Sequence, residues 1–251
     1  MLTTISQNPR YYRWVILFVC FLIITFTNGL TLGGLYVFEE EIMKSLSEIT
    51  GENILRADLK LRDALTLWST AAIGFFSGML ADRIGVKKLM VTGMVILSAC
   101  FYFYGQAQSL VDMYILHIFM GLVLCISGMI VNVILISKWF NNSRGLAIGI
   151  LLAGTSVGNG LFPQINTYLL SIGDWREVML WLSLIPLCYI PVLLLLVKES
   201  PEELNKENQR VDQDFSQTNH SGGSTLKEAL STKNFWLLSL MAFCTFYSIL
   251  A

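Results

Sequence analysis

An all-α, polytopic membrane protein is the fold this sequence predicts, on three observations. Of its 251 residues 54% are hydrophobic and 14% charged, with a mean hydropathy of +0.60, whereas about a quarter of a soluble domain is charged. Seven runs of membrane-crossing length or close to it contain no Lys, Arg, Asp or Glu. The Lys and Arg residues, in turn, concentrate on alternate connections between those runs.

Residues 14–38 form the first span, too long for the apolar core of a cleaved signal and followed by further spans, so it is read as retained. It carries Thr27, Asn28 and Thr31 beside Gly29, Gly33 and Gly34. Glycines there weaken the helix and either permit bending or serve close packing. The connection 39–63 holds Glu39, Glu40, Glu41, Glu48, Glu52, Asp58 and Asp63. It is expected to be a solvated outside loop, with attraction of cations as the second reading.

Spans two and three, residues 64–81 and 89–107, flank the stretch 78–88, GMLADRIGVKK. Gly78 leaves room for close helix approach, Asp82 is suited to cap the next helix, and Gly85 allows a backbone sign change. Arg83, Lys87 and Lys88 put three positive charges on this short turn, which places it on the cytoplasmic side.

The fourth span, 113–137, has the sharpest periodicity. Tyr114, His117, Gly121, Cys125, Gly128 and Asn132 share one narrow face while the rest is mostly Leu, Ile, Val, Met and Phe, so that face points inward. His117 either carries a proton near neutral pH or is a neutral imidazole satisfied by a neighbouring helix. In the fifth span, 145–170, Gly145, Gly149, Ala153, Ser156 and Gly160 share a face suited to close helix approach. Thr155, Asn159 and Asn166 form a separate polar face, which either lines a cavity or bonds between helices.

The sixth span is 178–197. After it, residues 199–234 are hydrophilic, with Ser200-Pro201 and a Ser-Gly-Gly-Ser run, and read as a cytoplasmic linker before a seventh, incomplete span at 235–251. With the N-terminus inside, twelve Lys and Arg lie on cytoplasmic pieces and five on outside ones.

The pattern G-x-x-x-D-R-x-G-x-K-K at 78–88 resembles the signature between helices 2 and 3 of the major facilitator superfamily of secondary transporters. A second stretch at 138–154, KWFNNSRGLAIGILLAG, is similar to a pattern of the monocarboxylate and oxalate–formate branches, through Trp139, Phe140, Arg144, Leu146, Ala147, Gly149, Ala153 and Gly154. Asn142 and Ser143 replace basic residues of those relatives, and Asn28-Gly29 stands where monocarboxylate transporters carry an acid and a glycine. The resemblance implies a six-helix N-terminal bundle (1–198), an inter-domain linker (199–234) and the start of helix 7 (235–251). It implies alternating-access transport of a small organic, monocarboxylate-like solute, coupled to an ion such as a proton, in the cell (inner or plasma) membrane. Gly78, Asp82, Arg83, Gly85, Lys87, Lys88 and Arg144 are then cytoplasmic gate residues. Asn28, Thr31, Tyr114, His117, Asn132, Thr155 and Asn159 are candidate cavity-lining residues.

Two alternatives stand beside this reading: a half-size component that needs a partner half, and a truncated or decayed chain without transport. A membrane enzyme has little support, since the two histidines, His117 and His220, form no metalloprotease motif and no nucleophile elbow is present. The five cysteines fall within apolar runs without metal-site spacing and read as packing residues. No catalytic, metal or cofactor site and no nucleic-acid partner is expected; the partners are the solute and the lipid bilayer, and nothing fixes an oligomeric state. The topology is tested by cysteine accessibility in intact cells. Position 48 should react with an impermeant thiol reagent from outside, and positions in the 83, 144 and 199–234 segments only after permeabilisation.

Overall fold

The computed structural model describes residues 9–140, 143–201, 231–232 and 236–237. The chain divides into two compact units, Met1–Val211 and Asp212–Ala251, and the bundle lies in the first. Most of the expected linker and nearly all of the seventh span lie outside the described residues.

Six membrane-capable helical spans make up the bundle. Span 1 is composite: α1 (Pro9–Asn28), a π-helical turn (Gly29–Gly33), a 3-10 turn (Leu35–Phe38) and α2 (Glu39–Thr50). Span 2 is α3 (Arg56–Ile84) and span 3 is α4 (Val86–Tyr104). Span 4 is broken into α5 (Leu110–Ile126) and α6 (Met129–Trp139), span 5 is α7 (Arg144–Leu170), and span 6 is α8 (Trp175–Leu196).

The expected outside loop at 39–63 is largely helix, which corrects the charge-based reading. Three glutamates, Glu39 to Glu41, occupy the first turn of α2, where carboxylates complement the helix dipole. Gly51, at φ 71°, ends that helix in the left-handed conformation. The Asp58 carboxylate then accepts the Leu55 N–H at 2.9 Å and opens α3. At 1.5 Å per residue, the 40 residues Tyr11–Thr50 reach about 60 Å, against a hydrocarbon layer of about 30 Å. The span is therefore long enough for the α2–α3 hairpin to extend past the hydrocarbon layer, with Glu40, Glu41, Lys44, Glu48 and Glu52 exposed and Glu39 and Arg62 buried.

The remaining junctions follow local chemistry. Gly85, at φ 93°, turns α3 into α4. Ser109 and Asp112 cap α5 reciprocally through side chain and backbone, and the Asp174 carboxylate accepts the Arg176 N–H at the start of α8. Arg176 also donates from Nη1 to the Gly105 and Ala107 carbonyls, tying the α4–α5 turn to α8.

The helices pack most extensively in pairs: α3 with α5, α4 with α8, and α1 with α7. Side chains buried between all of them form a continuous apolar core. The α1–α7 seam corrects the expected small-residue face. Gly145, Gly149 and Gly160 face open space, whereas Ala147, Leu151, Gly154, Gly158, Phe162 and Asn166 are buried. At about 100° per residue the two stripes lie on nearly opposite sides of α7. The buried one is selected because it lets backbones meet. A Cβ on Gly154 would sit 2.8 Å from the Phe21 carbonyl oxygen, and one on Gly158 would sit 3.1 Å from the Gly29 Cα. The Thr25 hydroxyl shares its one hydrogen between the Phe21 carbonyl of its own helix at 2.8 Å and the Gly154 carbonyl at 3.1 Å. Cys188 is exposed, while Cys20, Cys100 and Cys125 are buried as expected of packing residues.

Gly158→Val should therefore force the seam apart and cost about 1–3 kcal/mol, whereas Gly149→Val, with nothing within 4 Å of its Cβ, should be near neutral. Thermal midpoints of the two detergent-solubilised variants would show the difference.

Candidate functional site

Asn28 ends α1 where the π-turn begins, and its Nδ2 donates to the Thr155 hydroxyl on α7 at 2.8 Å. One turn further along α7, Asn159 packs its side chain against Gly33; a Cβ at Gly33 would lie 2.8 Å from the Asn159 Oδ1. Asn28 is only 9% exposed, Thr155 is half-buried and Asn159 is exposed. These three side chains form a polar seam that opens to the surface of the bundle at Asn159. Thr31 shares the turn but not the opening: it is buried, and its hydroxyl donates to the Thr27 carbonyl. Asn166, at the far end of the seam, is buried and donates to the Gly34 carbonyl at 2.9 Å. Its Oδ1 has no hydrogen-bond partner among the described residues.

Tyr114, His117 and Asn132 are not brought to this seam. Tyr114 donates to the Asp58 carbonyl at 3.1 Å. Asn132 is fully buried beside the break in span 4, where its Nδ2 donates to the carbonyls of Ser127 and Gly128 at 2.8 and 2.7 Å. The Gly128 carbonyl also accepts the Asn132 N–H at 3.3 Å, as the opening bond of α6.

His117 is enclosed in a directional chain of bonds. Arg62 Nη1 donates to the Tyr104 hydroxyl at 2.6 Å, so that hydroxyl turns its own hydrogen toward His117 Nε2, at 3.3 Å. His117 Nδ1 lies 2.8 Å from the Thr66 hydroxyl, which is also 3.2 Å from the His117 carbonyl and can donate to it when Nδ1 carries the ring proton. Each donor finds an acceptor with a neutral imidazole protonated on Nδ1. A second ring proton would face a Tyr104 hydroxyl already receiving one from Arg62. Both ring nitrogens of His117 thus have a polar neighbour within the bundle.

Arg62, Tyr104, Thr66 and Glu39 were not among the expected site residues. Arg62 is fully buried and lies 3.5 Å from Glu39, itself almost fully buried. The available signal was register: Leu59, Arg62 and Thr66 fall on one helical face with Ser77 and Ala81, so the arginine stands in a buried stripe.

The charged turn is organised differently from expectation. Asp82 lies within the last turn of α3 and is exposed, as are Arg83, Lys88 and, at the start of α7, Arg144. Gly78 has nothing within 4 Å of a Cβ. The carboxylate at the α4 N-terminus belongs to Glu199, just beyond α8, whose Oε1 accepts the Lys87 N–H at 3.1 Å. That oxygen lies 2.7 Å from the place a Cβ would take on Gly85, where the positive φ favours glycine. Lys87 Nζ donates to the Leu194 carbonyl at 2.7 Å, and Trp139 Nε1 donates to the Lys198 carbonyl at 3.0 Å. The end of α8 is thereby bound to the start of α4 and the end of α6. Among the described residues, no His, Cys, Asp or Glu cluster could hold a metal ion.

Among the described residues, six helices long and apolar enough to cross a bilayer, packed on one another, define a multi-pass membrane protein. The chain belongs to the Major Facilitator Superfamily, whose family model matches residues 17–251. It is 28% identical over 195 residues to the gallate transporter of Pseudomonas putida, covering 75% of this chain and 40% of that protein. It is 30% identical over 159 residues to the sialic acid transporter NanX of Escherichia coli, covering 60% of this chain and 38% of that one. A bacterial homologue of the human lysosomal transporter Spinster, solved inward-facing and unoccupied, shares the fold with a TM-score of 0.64 at 21% identity, over 87% of this chain and 47% of that chain. The chain thus spans about two fifths of the length of the curated relatives it matches.

Removing the α4 cap by Glu199→Ala should cost about 0.5–2 kcal/mol, while Asp82→Asn should leave stability within about 0.5 kcal/mol. Denaturation monitored by tryptophan fluorescence in detergent distinguishes the two.

Proposed function

We propose that the polypeptide carrying these 251 residues moves a small organic acid across the plasma membrane by alternating access, with this bundle as the N-terminal of two that rock about a central site. Family membership supports the transporter class, and the open polar seam of Asn28, Thr155 and Asn159 carries the assignment of the solute-facing side. Two relatives are named for gallate and sialic acid, both carboxylates, which supports that solute class. Asn159 offers a free amide to a carboxylate oxygen, and Asn28 has one amide hydrogen left after bonding Thr155.

No cation lies on the seam among the described residues, and a bare carboxylate in the hydrocarbon layer costs about 2.5–3.5 kcal/mol or more. The cationic anchor therefore comes from outside the described residues in this proposal. Coupling is to a proton gradient, the N-terminus is cytoplasmic, and the turn of Gly78, Asp82, Arg83, Gly85, Lys87 and Lys88, with Arg144, acts in closing the cytoplasmic side rather than in holding solute. The test is uptake of labelled gallate and a panel of small carboxylates by cells lacking their own uptake of these acids. Saturable uptake that needs the proton gradient, with KM raised about tenfold by Asn159→Ala for loss of one bond to a charged group, is the expected result. Uptake no higher than in empty-vector cells for every acid in the panel would reject the proposal.

A further inference from the structure

Span 1 changes its winding where it crosses span 5. It is α-helical to Asn28, π-helical over Gly29–Gly33, 3-10 over Leu35–Phe38 and α-helical again from Glu39. Interruptions of this kind are where a helix can bend without breaking a regular hydrogen-bond ladder. The joint is seated on α7 by glycines, Gly33 against Asn159 and Gly34 beneath Asn166. On one side of it α1 packs on α7; on the other side α2 packs on α3. A single span thus belongs to two neighbours, with the joint between them.

Ionic contacts hold the outer arm. Glu39, the first residue of α2, meets Lys60 at 2.7 Å, Arg56 at 3.4 Å and Arg62 at 3.5 Å, all from the first two turns of α3. Arg56 and Lys60 are exposed, so their attraction is partly screened; Glu39 and Arg62 are buried and have no such screening. Arg62 also reaches Asp63 and Tyr104, but its Nη2 forms only the long ion pair to Glu39, with no hydrogen bond. Beneath the charges, Phe38, Ile42 and Leu46 are fully buried. Losing Glu39 would leave the buried guanidinium with Asp63 and Tyr104 on Nε and Nη1 but with no carboxylate facing Nη2, which is unfavourable unless water reaches it. The contact is therefore either closed or opened as a unit with the apolar side chains beneath it.

We propose that Glu39 and Arg62 form a latch that fixes the outer arm of span 1 to span 2, and that opening it lets the arm pivot at Gly29–Gly34. Arg62 is then a positioning residue for the seam: the joint it controls carries Thr31 and Gly33 and adjoins Asn28 and Asn159. Its use in transport rests on the proposed function, whereas the latch itself is tested without any transport measurement.

In a form with all five cysteines replaced, Leu46→Cys reports the arm and Leu151→Cys, buried on α7, is the control. Maleimide labelling is followed in membranes. Arg62→Gln should speed labelling at position 46 about tenfold or more, as expected of a local opening, leave position 151 unchanged, and be largely reversed by Arg62→Lys. Should the Arg62→Gln protein fail to accumulate, Glu39→Gln, equal in shape but uncharged, takes its place with the same expected rates. An unchanged rate at position 46 overturns the latch, and so does an equal rise at both positions, which would mean a generally loosened bundle. Uptake in the same membranes is scored separately: Arg62→Gln should change the maximal rate and leave KM within about twofold. Absent uptake by the unsubstituted protein would count against the proposed function, while the labelling rates would still decide for or against the latch.

Discussion

The backbone-to-backbone contact between spans 1 and 5 is the constraint on which the rest of the bundle depends. In hydrocarbon there is no hydrophobic drive to bring two helices together, so association relies on packing and on bonds between polar groups. Gly154 and Gly158 give span 1 a surface without side chains, and at this close approach Thr25 shares its hydroxyl hydrogen between the Phe21 and Gly154 carbonyls. The same closeness puts Asn28 within 2.8 Å of Thr155. It also commits the C-terminal half of span 1 to a joint, because Gly29, Gly33 and Gly34 all have a neighbour where a Cβ would be.

Polar matching decides the arrangement on the other side of the bundle. Spans 2, 3 and 4 bury Arg62, Tyr104, Thr66 and His117, and each is given a partner in sequence along one chain of bonds. Exclusion of water makes such a chain stronger when complete and costly when broken. Beside the break in span 4, Asn132 donates from its side chain to the Ser127 and Gly128 carbonyls. At the α3–α4 turn Glu199 plays the complementary part, offering a carboxylate to an uncapped helix start.

Spans were legible in the sequence because apolar length is a direct physical requirement of a bilayer; for spans 1 to 6 the charge-free runs fall within the observed helices or overrun them by at most a few residues. Helix within 39–63 was not legible. Glu40, Glu41, Glu48 and Glu52 are exposed, and exposure is equally compatible with a loop and with a helical hairpin. Of the candidate cavity residues, Asn28, Thr155 and Asn159 come together, while Thr31, Tyr114, His117 and Asn132 turn into contacts within the bundle. Periodicity identifies a polar face but not the neighbour that face meets. Small residues on α7 mislead for a related reason: two stripes exist, and only the partner helix's Thr25 and the adjoining Gly29 select one. The capping role of Glu199 has no local signature, since it acts 112 residues away from Lys87.

If the seam between spans 1 and 5 acts on solute as a single unit, its two bonded members must fail together. A double-mutant cycle of Asn28→Ala and Thr155→Ala, read by equilibrium binding of the transported acid, tests this most directly. Since the Thr155 hydroxyl accepts from Asn28 Nδ2, either truncation should disorder both groups. The expected result is a coupling of about 0.5–3 kcal/mol, with the double variant scarcely weaker than either single one. Strictly additive losses, or full affinity in all three variants, would contradict a seam that works as one unit.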